Sequence, residues 1–154
     1  MRLTSLFEKE NIFFLEHTEK ESSLKELVKA LKKAKIISKE NALFEKIMER
    51  EKLGSTSIGR SIAIPHCKLK GIKEPIIAIG ISKKGIEYNS TDGKPVHLLI
   101  FVVSPLDNST LHLQILASAA HLAKNISSKI NELLLKESKE EVYEFLKSAE
   151  YSDN

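Results

Sequence analysis

Residues 50–68, REKLGSTSIGRSIAIPHCK, hold the densest set of chemically able side chains in this sequence. His66 follows the strand-like run Ser-Ile-Ala-Ile-Pro. A neutral imidazole near pH 7 is both a nucleophile and a metal ligand. Pro65 removes a backbone donor and fixes φ, which predicts that the strand stops or sits at an edge there and leaves His66 at a strand end. Upstream stand Arg50 and a segment of amides and hydroxyls, with Gly54, Ser55, Thr56 and Gly59. Such a set can hold a phosphoryl group. It is not a nucleotide P-loop, because the Gly-Lys-Ser/Thr ending is absent and a strand follows where that motif needs a helix. On residue types alone, a surface loop after a helix-terminal arginine is the simpler reading.

The five histidines are His17, His66, His97, His112 and His121. A structural or solvated role is the default for each, and context raises only two. His66 is one. His112 is the other, in the first turn of the helix expected after LLIFVVSPLDNST. A helix starting near the end of a central strand would bring His112 close to His66. A metal has little support: no Cys-x-x-Cys, no His-Glu-x-x-His and no acidic cluster has ligand spacing. Cys67 neighbours His66 but would point to the opposite strand face, so it reads as a packing residue.

The elements that must position these groups follow from periodicity. Leu24, Leu27, Val28 and Leu31 mark one face of a helix over 22–35, with Ser23 and Glu26 at capping-box spacing. A second helix is expected from Lys39 to Leu53, burying Leu43, Ile47 and Met48, with Gly54 as its stop. IAIP, IIAIGIS (76–82) and VHLLIFVV (96–103) read as strands. LLIFVV is apolar at every position, which predicts a central strand covered on both faces. KKG (83–85) and STDGKP (90–95) read as turns. Leu111, Ile115, Leu116, Ala119 and Leu122 mark a further helix, a shorter one is expected over 127–136, and Ser138 and Glu141 cap a last one from 139 to about 148. The tail YSDN is expected to fray.

The order predicts one domain over 1–154: an α/β sandwich with a central mixed sheet flanked by helices on both faces. A chain of 154 residues with 42% hydrophobic and 29% charged residues suits that. The net charge of +3, from 24 basic and 21 acidic residues spread along the chain, gives no nucleic-acid footprint. One cysteine rules out an intramolecular disulfide and fits a cytoplasmic protein. The N-terminus lacks a signal peptide's apolar core, and no apolar run approaches the ~20 residues that span a bilayer.

Residues 50–68 resemble the active-site segment of the type-2 enzyme IIA domains of the bacterial phosphotransferase system, the fructose, mannitol and nitrogen-regulatory enzymes IIA. That segment reads close to R-E-x-x-G-S-T-G-I-G-x-G-I-A-I-P-H-G-K. The likeness continues through PVHLLIFVVSPLDNSTLHLQILASAA (95–120) and covers essentially the whole chain. It implies a phosphohistidine carrier with no cofactor, fed by the phosphocarrier protein HPr and passing its group to a IIB domain, or using it as a signal to a regulatory target. His66 falls on the phosphorylated histidine, Arg50 on the phosphate-binding arginine and His112 on the second active-site histidine. Ser55 and Thr56 are weaker candidates for the remaining phosphoryl oxygens. Chain length without a fused IIB or membrane domain leans toward the nitrogen-regulatory branch. A non-phosphorylated binding module on the same fold is the alternative, opposed by Arg50, His66 and His112 occurring together. A homo-oligomer is left open. Arg60 and Ser61 replace the usual x-Gly, and Cys67 stands where glycine is common, so loop shape and partner choice are where the likeness is weakest.

Overall fold

A computed structural model describes residues 1–151; Ser152–Asn154, the end of the tail expected to fray, lie outside the described residues. Two 3-10 turns, Leu3–Leu6 and Lys9–Asn11, lead into strand β1 (Ile12–Phe14). Helices α1 (Lys20–Lys33) and α2 (Glu40–Lys52) follow. Strands β2 (Ser57–Gly59), β3 (Ile62–Ala63), β4 (His66–Leu69), β5 (Ile76–Ile86) and β6 (Val96–Pro105) come next, then α3 (Ser109–Ile126), α4 (Ile130–Leu133) and α5 (Lys139–Glu150).

The six strands form one mixed sheet in the order β1-β5-β6-β3-β2, with β4 also on β6. β6 runs antiparallel to β5 and parallel to β3 and β4. Its position in mid-sheet accounts for the run LLIFVV, fully buried from Leu98 to Val103. Alternate residues face opposite layers. Leu98, Ile100 and Val102 pack with Ile115, Leu122, Val142 and Leu146 of α3 and α5. Leu99, Phe101 and Val103 pack with Leu24, Leu27, Leu31, Leu43 and Ile47 of α1 and α2. The chain is therefore an α/β sandwich with helices on both faces of a mixed sheet. No helix among the described residues is long and apolar enough to cross a membrane.

Four local expectations change. The first helix starts at Lys20, so Ser23 lies inside it and caps nothing; its buried hydroxyl donates to the His17 carbonyl. The Glu26 carboxylate accepts the backbone N–H groups of Glu16 and His17 instead. Lys83-Lys84-Gly85 is not a turn but the end of β5, where the pairing with β6 shifts register between Ile81 and Ile86. Gly85 takes up that irregularity at φ +92°, and a Cβ there would meet Pro95 at 3.0 Å. The shorter helix over 127–136 contracts to Ile130–Leu133.

Pro65 gives the fourth change. It interrupts a strand rather than ending one, and it does so where the outer edge becomes uncovered, the edge position that a proline allows. Ile62 stands opposite Leu98 and His66 opposite Val102, so both strands advance equally across the gap and the register with β6 is kept. Pro65 has no N–H to give, yet its carbonyl still accepts from Val102 N at 2.9 Å. The interruption matters at the outer edge: β2 covers β3, whereas no strand among the described residues covers β4 on that side. His66 is the first residue past that cover.

Candidate active site

Three elements converge on His66. Arg50 comes from the last turn of α2, which stops at Gly54 with φ +148°. His66 opens β4 on the same sheet face as its partner Val102. His112 comes from the first turn of α3, whose N-cap Asn108 accepts from Leu111 N at 3.0 Å. The hairpin-like return from β6 into α3 lays His112 over that face, and the two imidazoles lie 5.6 Å apart, centroid to centroid. The convergence inferred from the strand-then-helix order is thus present in the fold.

The hydrogen bonds fix the working nitrogen of His66. Its Nδ1 lies 2.7 Å from the Ile64 carbonyl oxygen. A carbonyl only accepts, so Nδ1 carries the proton and Nε2 carries the lone pair. Arg50 Nε–H donates to that Nε2 at 3.3 Å, while its Nη1 donates to the Gly54 carbonyl at 2.9 Å. His112 Nδ1 pairs with the Ser104 hydroxyl, two residues beyond Val102 on β6, at 2.7 Å. Ser104 and His112 are both buried. Beside them Lys68 Nζ donates to Ser109 Oγ at 3.1 Å.

Both imidazoles are held below the usual histidine pKa. Burial lowers that of His66, opposed by the Ile64 hydrogen bond and aided by the Arg50 guanidinium. Burial also lowers that of His112, with the charges of His66 and Lys68 adding to it. Neutral imidazoles at pH 7 are the nucleophilic form. Cys67 faces the other layer, among Ala63, Phe101 and Val103, and burial pushes its thiol up to about 12. It has no thiolate to offer and packs as a small apolar residue.

The two hydroxyls of the loop are turned elsewhere. Ser55 Oγ donates to the Tyr88 carbonyl at 2.8 Å. Thr56 is buried, and its hydroxyl donates to Glu51. Glu51 itself escaped the sequence reading. Its carboxylate accepts from Thr56 N at 3.1 Å and Tyr88 Oη at 2.9 Å, and pairs with Lys20 Nζ at 2.8 Å. A signal was available: Glu51 shares the buried helical phase of Leu43 and Ile47. The Ile64 carbonyl and Ser104 were also missed, the first because a backbone acceptor leaves no mark on a sequence.

Comparison with known proteins adds a second line. A family model for "Phosphoenolpyruvate-dependent sugar phosphotransferase system, EIIA 2" matches residues 5–149. A fructose-specific EIIABC component of the phosphotransferase system from Bacillus subtilis is 38% identical over 79% of this chain, which spans only 19% of that relative's length. The crystal structure of nitrogen regulatory protein IIA-Ntr from Neisseria meningitidis superposes with a TM-score of 0.79 at 31% identity, covering 94% of this chain and 98% of that one. A complex of mannitol enzyme IIA with phosphorylated IIB from Escherichia coli shares the fold at a TM-score of 0.72 and 23% identity, covering 92% of this chain and 97% of the other. With the family match running almost end to end, the chain belongs to the type-2 enzyme IIA family of the phosphoenolpyruvate-dependent phosphotransferase system.

Proposed function

We propose that this chain is a phosphoryl carrier whose acceptor atom is Nε2 of His66. The observation that carries the reading is the tautomer: with Nδ1–H bound to Ile64 O, Nε2 keeps the lone pair, which accepts from Arg50 Nε–H. The lone pair attacks the phosphorus of phospho-HPr. The new N–P bond forms as the donor's bond to phosphorus breaks, and the donor group leaves with that electron pair. Onward transfer is the same step reversed on a IIB acceptor, with His66 as leaving group.

Each neighbour has a physical task. Phosphoryl transfer needs alignment and charge stabilisation more than covalent help. The Arg50 fork turns from nitrogen to phosphoryl oxygens once Nε2 is occupied, with a geometry lysine does not match. His112, tethered to Ser104, donates to a phosphoryl oxygen through its other nitrogen or holds the His66 ring. The residues require no metal or nucleotide. The onward partner is a IIB domain or a regulatory target; the known relatives include fructose-specific and nitrogen-regulatory proteins, and the carrier chemistry is common to both.

The test is phosphorylation with phosphoenolpyruvate, enzyme I and HPr. Wild type is expected to take an acid-labile, base-stable phosphate, and His66→Ala none. Arg50→Ala is expected to label on the order of a hundredfold more slowly, as when one oxyanion donor is removed. Equal labelling of wild type and His66→Ala would sink the site. An unlabelled wild type would favour the non-phosphorylated binding module.

A further inference from the structure

We infer that Glu51 and Thr56 form a buried clamp that sets both the tautomer of His66 and the aim of Arg50, as positioning residues that touch neither phosphorus nor partner. The inference rests on the carrier reading above and assigns Thr56 a different task from direct phosphate contact.

Two relays start at the clamp. Glu51 Oε1 accepts the Thr56 amide at 3.1 Å, and Oε2 accepts the Thr56 hydroxyl. The Thr56 carbonyl then accepts Ile64 N at 3.1 Å. The Ile64 carbonyl, on the same peptide-linked residue, accepts His66 Nδ1 at 2.7 Å. So the backbone group that fixes the His66 tautomer is itself held in place through Thr56. The second relay is shorter. Glu51 accepts the Gly54 amide at its own carbonyl, 3.1 Å, and Gly54 O accepts Arg50 Nη1 at 2.9 Å. The Glu51–Thr56 bonds close the loop that carries Gly54.

The clamp has no freedom to wander. Glu51 and Thr56 are 5% and 6% exposed. Lys20 from α1 and Tyr88 from the segment after β5 fill the remaining lone pairs of the carboxylate. Burial and the neighbouring Glu51 hold the Tyr88 phenol well above its usual range, so it stays a donor. A buried carboxylate with every acceptor site engaged is a rigid reference point. Ile64 and Pro65 need such a reference, because the ladder between β3 and β4 is interrupted there.

The experiment combines kinetics with ¹⁵N NMR of the imidazole. Thr56→Val keeps the shape and removes the hydroxyl; Thr56→Ser restores it. In wild type the His66 spectrum is expected to show protonated Nδ1 and bare Nε2. Thr56→Val is expected to give mixed tautomers and a kcat for transfer from phospho-HPr lower by on the order of tenfold, with KM for phospho-HPr unchanged. Thr56→Ser is expected to recover both. A Thr56→Val protein with wild-type rate and a single Nδ1–H tautomer would overturn the clamp, as would failure of serine to rescue. Hydrogen exchange on the wild type needs no variant: the Thr56 and Ile64 amides are expected to be protected, and exchange at open-loop rates would also overturn it. An unlabelled wild type would instead strike the carrier reading and leave the amide protection and tautomer to decide the clamp.

Discussion

His66 and His112 are neutral near pH 7 because the protein withholds water from them. That has a cost with a definite sign. The unfolded chain binds protons at the ordinary histidine pKa of about 6.5. The folded chain, with both values lowered, binds them only at lower pH. Above about pH 6.5 neither state is protonated and the full stability is present. As pH falls through that value toward the folded pKa values, the unfolded state gains protons first and stability is lost. The expected outcome is a urea midpoint that drops more between pH 8 and pH 5.5 in wild type than in the His66→Gln/His112→Gln double variant. Carboxylates contribute equally to both proteins, so identical pH dependence would show that the imidazoles are not desolvated. The phosphorylation rate should be flat from pH 8 to pH 7, since His66 is already neutral there. Sequence context pointed to His66 and His112, one after a strand-like run and one in the first turn of an expected helix, but the direction of their pKa shifts depends on packing that only the fold supplies.

The β2–β3 turn is where element-scale strain sits. Gly59, Arg60 and Ser61 have φ of +82°, +55° and +68°. Two consecutive non-glycine residues in the left-handed region match the two-residue hairpin geometry that favours Asn-Gly. Arg60 has compensation: its N–H donates to Asp92 at 2.8 Å and its guanidinium to Ser127 at 3.2 Å. Ser61 contributes its carbonyl, to His97 N and Leu98 N, and glycine would keep that. The left-handed penalty of ~1–2 kcal/mol exceeds the ~0.5–1 kcal/mol of added chain entropy that glycine brings. Ser61→Gly is therefore expected to stabilise by about 0.5–1 kcal/mol, a rise of roughly 1–4 °C in Tm by calorimetry; a lower Tm would show that the serine is not strained. The same scale shows where sequence signals stop. Hydrophobic periodicity placed α1, α2 and α3, runs rich in Ile and Val placed the long strands, and the Ser138–Glu141 capping box, present in the fold, placed α5. Punctuation residues were ambiguous. Lys83-Lys84-Gly85 has the composition of a turn, yet neighbours on β6 hold it as an irregular strand end. Ser23 and Glu26 have the spacing of a cap, yet the first turn forms earlier and the pair is used for other bonds. Pro65 breaks a ladder bond as expected, but the register on β6 carries the strand past it.

At the scale of the whole molecule, two buried carboxylates tie distant segments together. Glu51 joins α1, α2 and the segment after β5 around the site. Glu150, at the end of α5, joins the two ends of the chain. It is 2% exposed and accepts Leu3 N at 2.6 Å, Thr4 N at 3.2 Å and the Thr4 hydroxyl. Arg2 donates to its carbonyl at 2.8 Å, and Tyr143 Oη donates to the Thr4 carbonyl at 2.9 Å. Of the amides of the first 3-10 turn, those of Leu3 and Thr4 depend on this carboxylate, while Ser5 N donates to the Arg2 carbonyl at 3.2 Å. Local sequence does not reveal such a pairing, since the partners are separated by nearly the full chain. Glu150→Ala leaves the chain two options. It can keep the turn docked with stranded donors, each costing ~1–3 kcal/mol. Or it can release residues 1–7 and expose Leu3 and Phe7, now 0% and 5% exposed, at ~1.5–3 kcal/mol each. The release route sums to about 3–6 kcal/mol, and since the chain takes the cheaper route, that sum is the upper bound on the loss expected by urea unfolding. Amide exchange separates them: release speeds the Leu3 and Thr4 amides far beyond the speeding that lost global stability imposes on the β6 amides by either route. Glu150→Gln, which keeps one acceptor oxygen, should fall between wild type and alanine. A loss below about 1 kcal/mol for Glu150→Ala, the worth of one ordinary hydrogen bond, would mean that the turn docks on Leu3 and Phe7 alone. The start of the chain meets α3 at Ser118, further along that helix than His112 in its first turn, so phosphorylation of His66 in the refolded Glu150→Ala protein should proceed at the wild-type rate.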